Sequence, residues 1–191
     1  MKNRIIRKII HILFGINIIL LFYMNILTTR ILFYFLLLSI FLSILSLKID
    51  IPIVKKLIIH YKKENEMPPG RGFIFFLFGS LLVLKLFEKD IALASITILT
   101  FSDSFACIFG SLFGKIKILN ENKTIEGTIL GIIIGTILAS FFVNFIESFL
   151  ACSIAMLGEH LEFKISKNTI DDNLIIPLIS GTTIYILRLL V

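Results

Sequence analysis

The chain alternates between uninterrupted apolar runs and short charged patches, and the runs approach the length that crosses a lipid bilayer. A spanning helix needs about 20 mostly apolar residues, with a working range of about 17–25. Seven segments come close: Ile9–Leu27, Ile31–Leu47, Phe73–Phe87, Ile91–Phe109, Thr128–Ile146, Ser148–Phe163 and Leu174–Val191. Composition agrees. Apolar residues make up 57% of the chain, and the mean hydropathy is +0.99. A soluble domain holds roughly 45–50% apolar residues. A soluble globular domain, a disordered tail and a disulfide scaffold are therefore excluded. The expected fold is all-α: one polytopic integral membrane domain over residues 1–191, with about seven transmembrane helices. The count falls to six if Ser148–Phe163, which is short and carries Glu159 and Glu162, is re-entrant or lies in the interface.

The charges orient this bundle. With seven spans and the N-terminus inside, 15 of the 19 basic residues fall on the cytoplasmic side, and only Arg30, Lys85, Lys89 and Arg188 fall opposite. The positive-inside rule predicts that asymmetry. The net charge of +6 is then a set of membrane anchors and not a nucleic-acid-binding surface. The first span follows a basic stretch, as in a signal peptide, but its apolar run is too long and lacks a small-residue cleavage site. It is expected to be retained. Cys107 and Cys152 lie in apolar runs and read as small buried residues.

Ionisable groups within spans are costly and are functional suspects by default. Asp103, in Ser102-Asp103-Ser104-Phe105-Ala106, is the clearest. Ser102, Ala106, Gly110 and Gly114 recur every four residues, as do Gly127, Gly131, Gly135 and Ala139. Such stripes let two helices approach closely; at Gly110 and Gly114 the alternative is close approach of a phosphate to the backbone. Odd-numbered helices would begin at the cytoplasmic face, where free N–H groups suit an anion. They begin at Pro68-Pro69-Gly70-Arg71-Gly72, at Lys123-Thr124-Ile125-Glu126-Gly127 and at Asp171-Asp172-Asn173. The first two offer a cation. The third offers oxygen ligands for a hard cation such as Mg²⁺, although Asp172 and Asn173 are also ordinary helix caps. His11 lies four residues after Arg7, on the same side of the first helix.

Taken in order, these segments resemble the CTP-dependent lipid kinase family, which includes dolichol kinase, phytol kinase and CTP-using diacylglycerol kinase. The matching pieces are Arg7-Lys8-Ile9-Ile10-His11, Pro69-Gly70-Arg71-Gly72, Ser102-Asp103-Ser104-Phe105-Ala106 leading to Gly110 and Phe113-Gly114-Lys115, Lys123-Thr124-Ile125-Glu126-Gly127, and Asp171-Asp172-Asn173 continuing to Pro177. Ser102 and Thr124 stand where the family usually has Gly and Ser. The resemblance implies transfer of the γ-phosphate of CTP to the hydroxyl of a polyprenol, phytol or diacylglycerol-type lipid, giving lipid phosphate and CDP. It implies Asp103, Glu126 and Lys123 as catalytic residues. Arg71, Gly110, Gly114, Lys115, Lys123 and Asn173 would bind the nucleotide. Asp103, Asp172 and Glu126 would bind Mg²⁺, with Asp103 either a metal ligand or the base that orients the hydroxyl. Arg7, His11 and Glu159 would serve the substrate or play accessory roles.

The expected location is a prokaryotic cytoplasmic membrane, with the site on the cytoplasmic side. The expected partners are a lipid alcohol and CTP. The first alternative is a cytidylyltransferase making CDP-activated lipid, whose usual C-terminal signature is absent. The second is a small transporter, against which stands the lack of an inverted repeat or paired broken helices.

Overall fold

The computed structural model describes residues 2–48, 70–118, 123–160, 164–165, 168–169 and 170–190. Most of the basic loop Lys48–Gly72, including Pro68 and Pro69, lies outside the described residues, as do Glu162, Phe163 and Lys167. The architecture is helical. Helix α1 covers Lys2–Tyr23, α2 Thr29–Lys48, α3 Arg71–Leu86, α4 Lys89–Thr97, α5 Asp103–Phe113, α6 Ile125–Ala139, α7 Phe145–Gly158 and α8 Asp172–Leu190. A π-helical turn, Ile98–Ser102, joins α4 to α5. A two-residue antiparallel ladder pairs Lys164 with Thr169 and Ile165 with Asn168.

Among the described residues, four helices are long and apolar enough to cross a membrane: Arg4–Tyr23, Thr29–Leu47, Lys89–Phe113 and Asp172–Leu190. At about 1.5 Å per residue, α3, α6 and α7 fall short of a roughly 30 Å hydrocarbon core. Outward faces carry Leu13, Leu20, Phe33, Tyr34, Phe41 and Ile133, an apolar surface too extensive for a soluble monomer. These long apolar helices are compatible with a helical membrane protein.

Two expected boundaries move. The run Thr128–Ile146 is not one helix: α6 starts at Ile125 and stops at Ala139, and the chain turns through Ser140–Val143. The restart is dictated by Asn144. Its side chain accepts from the Glu147 N–H at 2.9 Å, while the Glu147 carboxylate accepts from the Asn144 N–H at 3.2 Å. This reciprocal capping box imposes a helix start that apolarity alone conceals. Likewise the run Ser148–Phe163 ends as a helix at Gly158, which puts Glu159 beyond the helix.

The central element is Lys89–Phe113: 72% of its 18-residue apolar stretch is buried, against 17% of that in each of the first two helices. The chain itself surrounds it, so it can carry polar residues that lipid would penalise. Ser95 Oγ donates to the Ile91 carbonyl at 2.8 Å and Thr97 Oγ1 to that of Leu93 at 2.7 Å. Such back-bonding competes with the helix ladder and bends it, and the π turn follows directly. The two small-residue stripes do pack together. A Cβ on Gly131 would lie 2.6 Å from the Ser102 carbonyl oxygen, and one on Gly127 would lie 2.8 Å from Gly110 Cα.

Successive helices bring their charges to two ends. At the end away from Asp103, Arg188 reaches Asp90 at 2.7 Å, Glu147 at 3.0 Å and Glu88 at 3.7 Å. That one guanidinium ties the start of α4, the start of α7 and the end of α8.

Candidate active site

At the other end, five segments distant in sequence deliver charged side chains to one place. Lys8 on α1 is ion-paired with Asp103, at the first residue of α5, just after the π turn. Lys123, in the approach to α6, contacts Glu159 Oε1 at 2.7 Å and the Glu159 carbonyl at 3.0 Å, both just beyond α7. It also reaches Asp172 Oδ2, at the start of α8, at 3.4 Å. Asp103 and Glu159 are both buried, at 7% and 5% exposed, whereas Asp172 is 45% exposed. Lys123 therefore stands between a buried acid and a water-facing one.

Local structure explains how each arrives. Lys123 is held by a narrow hairpin, in which the Ile118 N–H donates to the Lys123 carbonyl and the Ile125 N–H to that of Ile116, each at 3.0 Å. Thr124 then caps α6, its hydroxyl accepting from the Gly127 N–H at 3.3 Å. Gly70 precedes α3 at φ 77°, a left-handed conformation that glycine adopts without cost, and so turns the chain into Arg71. Asn173 joins the starts of α3 and α8: its amide donates to the Gly72 carbonyl at 3.1 Å and to Asp171 Oδ1 at 2.9 Å.

Burial opposes the charge of Lys123, but Glu159 and Asp172 more than offset it and hold the ammonium above its ordinary value. Burial, then the negative charge of Asp103, pushes the Glu159 carboxyl up to about 7 against the pull of Lys123. Burial also raises Asp171. His160 is lowered by burial and by Lys123; its Nε2 lies 3.0 Å from Thr128 Oγ1.

Of the residues singled out in the sequence, Asp103, Lys123, Glu159 and Asp172 come together, with His11 close by on α1. Arg71 and Asn173 border them; Arg71 also lies over the Phe75 ring, 5.2 Å from its centroid. Others sit apart. The Glu126 carboxylate accepts from the Lys115 and Ile116 N–H groups, each at 3.1 Å, and so pins the hairpin. Lys115 is exposed. Gly110 and Gly114 face Thr124, whose Oγ1 would lie 2.7 Å from a Cβ on Gly110, so Thr124 takes up the space next to them.

Three features were not singled out in the sequence. Lys8, rather than Arg7, makes the pair with Asp103. It is three residues before His11, a spacing that shares a helix face as well as four does. The π turn has no sequence signature beyond Ser95 and Thr97. His160 falls in none of the sequence motifs.

Among the described residues, no group of three His, Cys, Asp or Glu side chains could hold a metal ion by itself. The donor set suits Mg²⁺ in another way: that ion typically takes one or two carboxylates and completes its shell with water and phosphate. Glu159 and Asp172 already share one cation, the ammonium of Lys123.

No protein-family model matches the chain, and no solved structure matches it. It is 34% identical over 182 residues, spanning 93% of this chain and 90% of the relative, to the uncharacterized protein MJ1137 of Methanocaldococcus jannaschii. The cluster is thus carried by a chain that belongs to the same family as this archaeal protein.

Proposed function

We propose that this protein is a seven-span membrane kinase, N-terminus inside, that transfers the γ-phosphate of CTP to the hydroxyl of a membrane lipid at the cytoplasmic face. The observation that carries the reading is the convergence of Lys8, Asp103, Lys123, Glu159 and Asp172 from five segments, with Asp103 and Glu159 buried and Asp172 exposed. Buried ion pairs are poor sources of stability, so a fold that keeps two of them at one end favours a chemical use. A π turn beside Asp103 adds support, since such turns are frequent at functional sites.

Phosphoryl transfer demands positioning and charge neutralisation rather than covalent chemistry from the protein. Lys123 and Arg71 meet the phosphates from the water side. Glu159 and Asp172 would hold Mg²⁺, which would supply charge neutralisation for the transferring phosphoryl group. Both carboxylates pair with Lys123, so a phosphate at that ammonium would compete with them for it. Asp103 needs its charge as metal ligand or as hydroxyl-orienting base, and Lys8 is its ion-pair partner. Glu126 braces the hairpin that carries Lys123.

Purified protein, given CTP and a panel of a polyprenol, phytol and diacylglycerol, should form CDP and one lipid phosphate. Release of pyrophosphate instead would establish the cytidylyltransferase alternative. Consumption of no CTP with any lipid would overturn the reading.

A further inference from the structure

A lipid kinase must take a proton from the acceptor hydroxyl, and the side chain that receives it is identifiable. This inference rests on the kinase reading above. His11 sits on the α1 face that also carries Lys8. Its ring stands edge-on to Phe76, with centroids 4.6 Å apart and planes at 73°. It also meets the main-chain carbonyl of Leu99, within the π turn. Its Nε2 is buried and has no hydrogen-bond partner.

A neutral imidazole has one donor nitrogen and one acceptor. The Leu99 carbonyl lies beside the ring, and a proton on Nδ1 is the tautomer that leaves Nε2 as an acceptor. Nε2 is left as a buried lone pair, and buried polar atoms without partners are rare enough to need an explanation. Two more lie next to it. Thr100 Oγ1 and Ser104 Oγ are also buried and unpartnered, one turn apart on the central helix. The Thr100 side chain lies against Gly15, one turn beyond His11 on α1. His11 Nε2 and Thr100 Oγ1 thus lie at the seam where α1 meets the central helix, with Ser104 one turn further along that helix, next in sequence to Asp103. Among the described residues, none donates to the Nε2 lone pair.

We infer that the seam binds the hydroxyl of the lipid acceptor, with His11 Nε2 as the atom that accepts its hydrogen bond and then its proton. As the hydroxyl oxygen bonds to the γ-phosphorus, the bond from that phosphorus to the β-bridging oxygen breaks. CDP leaves with the electron pair, the proton passes to Nε2, and it is later lost to water. Asp103 is thereby assigned to Lys8 and the phosphate side, and not to the acceptor.

The test uses the full chain in detergent with isotope-labelled histidine, whose ring nitrogens report protonation by nuclear magnetic resonance. His11 should be the Nδ1–H tautomer. Its Nε2 signal should move on adding farnesol and stay in place with farnesyl methyl ether, which has no hydroxyl proton. An Nε2–H tautomer, or equal responses to alcohol and ether, would overturn the inference. Replacing His11 by Gln or Phe should slow lipid-phosphate formation about 10²–10⁴-fold with CTP affinity unchanged. Turnover within a few-fold of the parent would overturn the inference and leave the kinase reading standing. Conversely, a farnesol response in a protein that phosphorylates no alcohol would sink the kinase reading and retain the alcohol site.

Discussion

Asp103 is where the residue scale is most legible from sequence, because an acid inside an apolar run has few structural excuses. Its partner was harder to read, since three basic residues, Arg4, Arg7 and Lys8, compete on one short stretch of α1. The pairing gives a sharp expectation. Asn at position 103 keeps most of the hydrogen-bonding capacity, and interhelical bonds in membranes average only about 0.6 kcal/mol. Asp103→Asn should therefore fold, while its kcat falls by orders of magnitude. Weakened CTP binding would mark a metal or phosphate-side role. Near-parental turnover would reduce Asp103 to packing. Glu159 makes a second prediction. Its carboxyl is pushed up to about 7, so below that pH it is protonated and cannot ligate. A metal site needs the deprotonated form, so apparent Mg²⁺ affinity should strengthen as pH rises from about 6 to about 8. Glu159→Gln should flatten that rise; a pH-independent Mg²⁺ requirement in the parent protein would remove Glu159 from the site.

Among the elements, apolar periodicity locates the helices but misplaces their ends. Within a run such as Ile132-Ile133-Ile134 through Phe145-Ile146, the stop and restart depend on one polar side chain, Asn144, whose cap only means something once Glu147 is seen to answer it. The small-residue stripes are the opposite case: their spacing alone predicts that α5 and α6 touch, and they do. What spacing could not tell was whether Gly110 and Gly114 meet a phosphate or another helix, because both uses require a missing Cβ. Two variants separate packing from capping. Gly131→Ala puts a methyl 2.9 Å from Ala106 Cβ, and overpacking of this kind costs about 1–3 kcal/mol. Since the strain falls on the Ser102 turn, both the thermal midpoint in detergent and the activity should drop. Asn144→Ala should cost about 0.5–2 kcal/mol of stability and leave turnover unchanged at a permissive temperature. Equal effects of the two on activity would contradict the separation between the two ends.

For the whole molecule, the sequence could count apolar runs and sort basic residues between two faces, because both are linear properties. It could not show that one span, Lys89–Phe113, is enclosed by the others, since enclosure depends on which helices neighbour it. Topology remains the strongest global expectation. In a background lacking Cys107 and Cys152, Lys117→Cys should label only from the cytoplasmic side of sealed vesicles, and Glu88→Cys only from outside. The reverse pattern would move the acidic cluster to the wrong compartment for a nucleotide. The Arg188 contacts carry a mechanical consequence of their own. With α4, α7 and α8 fastened together at one extremity by a single guanidinium, the opposite end is left to the ion pairs of Lys8 and Lys123. A ligand that exchanges those pairs would loosen that end alone, so on the kinase reading proposed above a long-tailed acceptor would enter there, with the rest of the bundle held as a hinge.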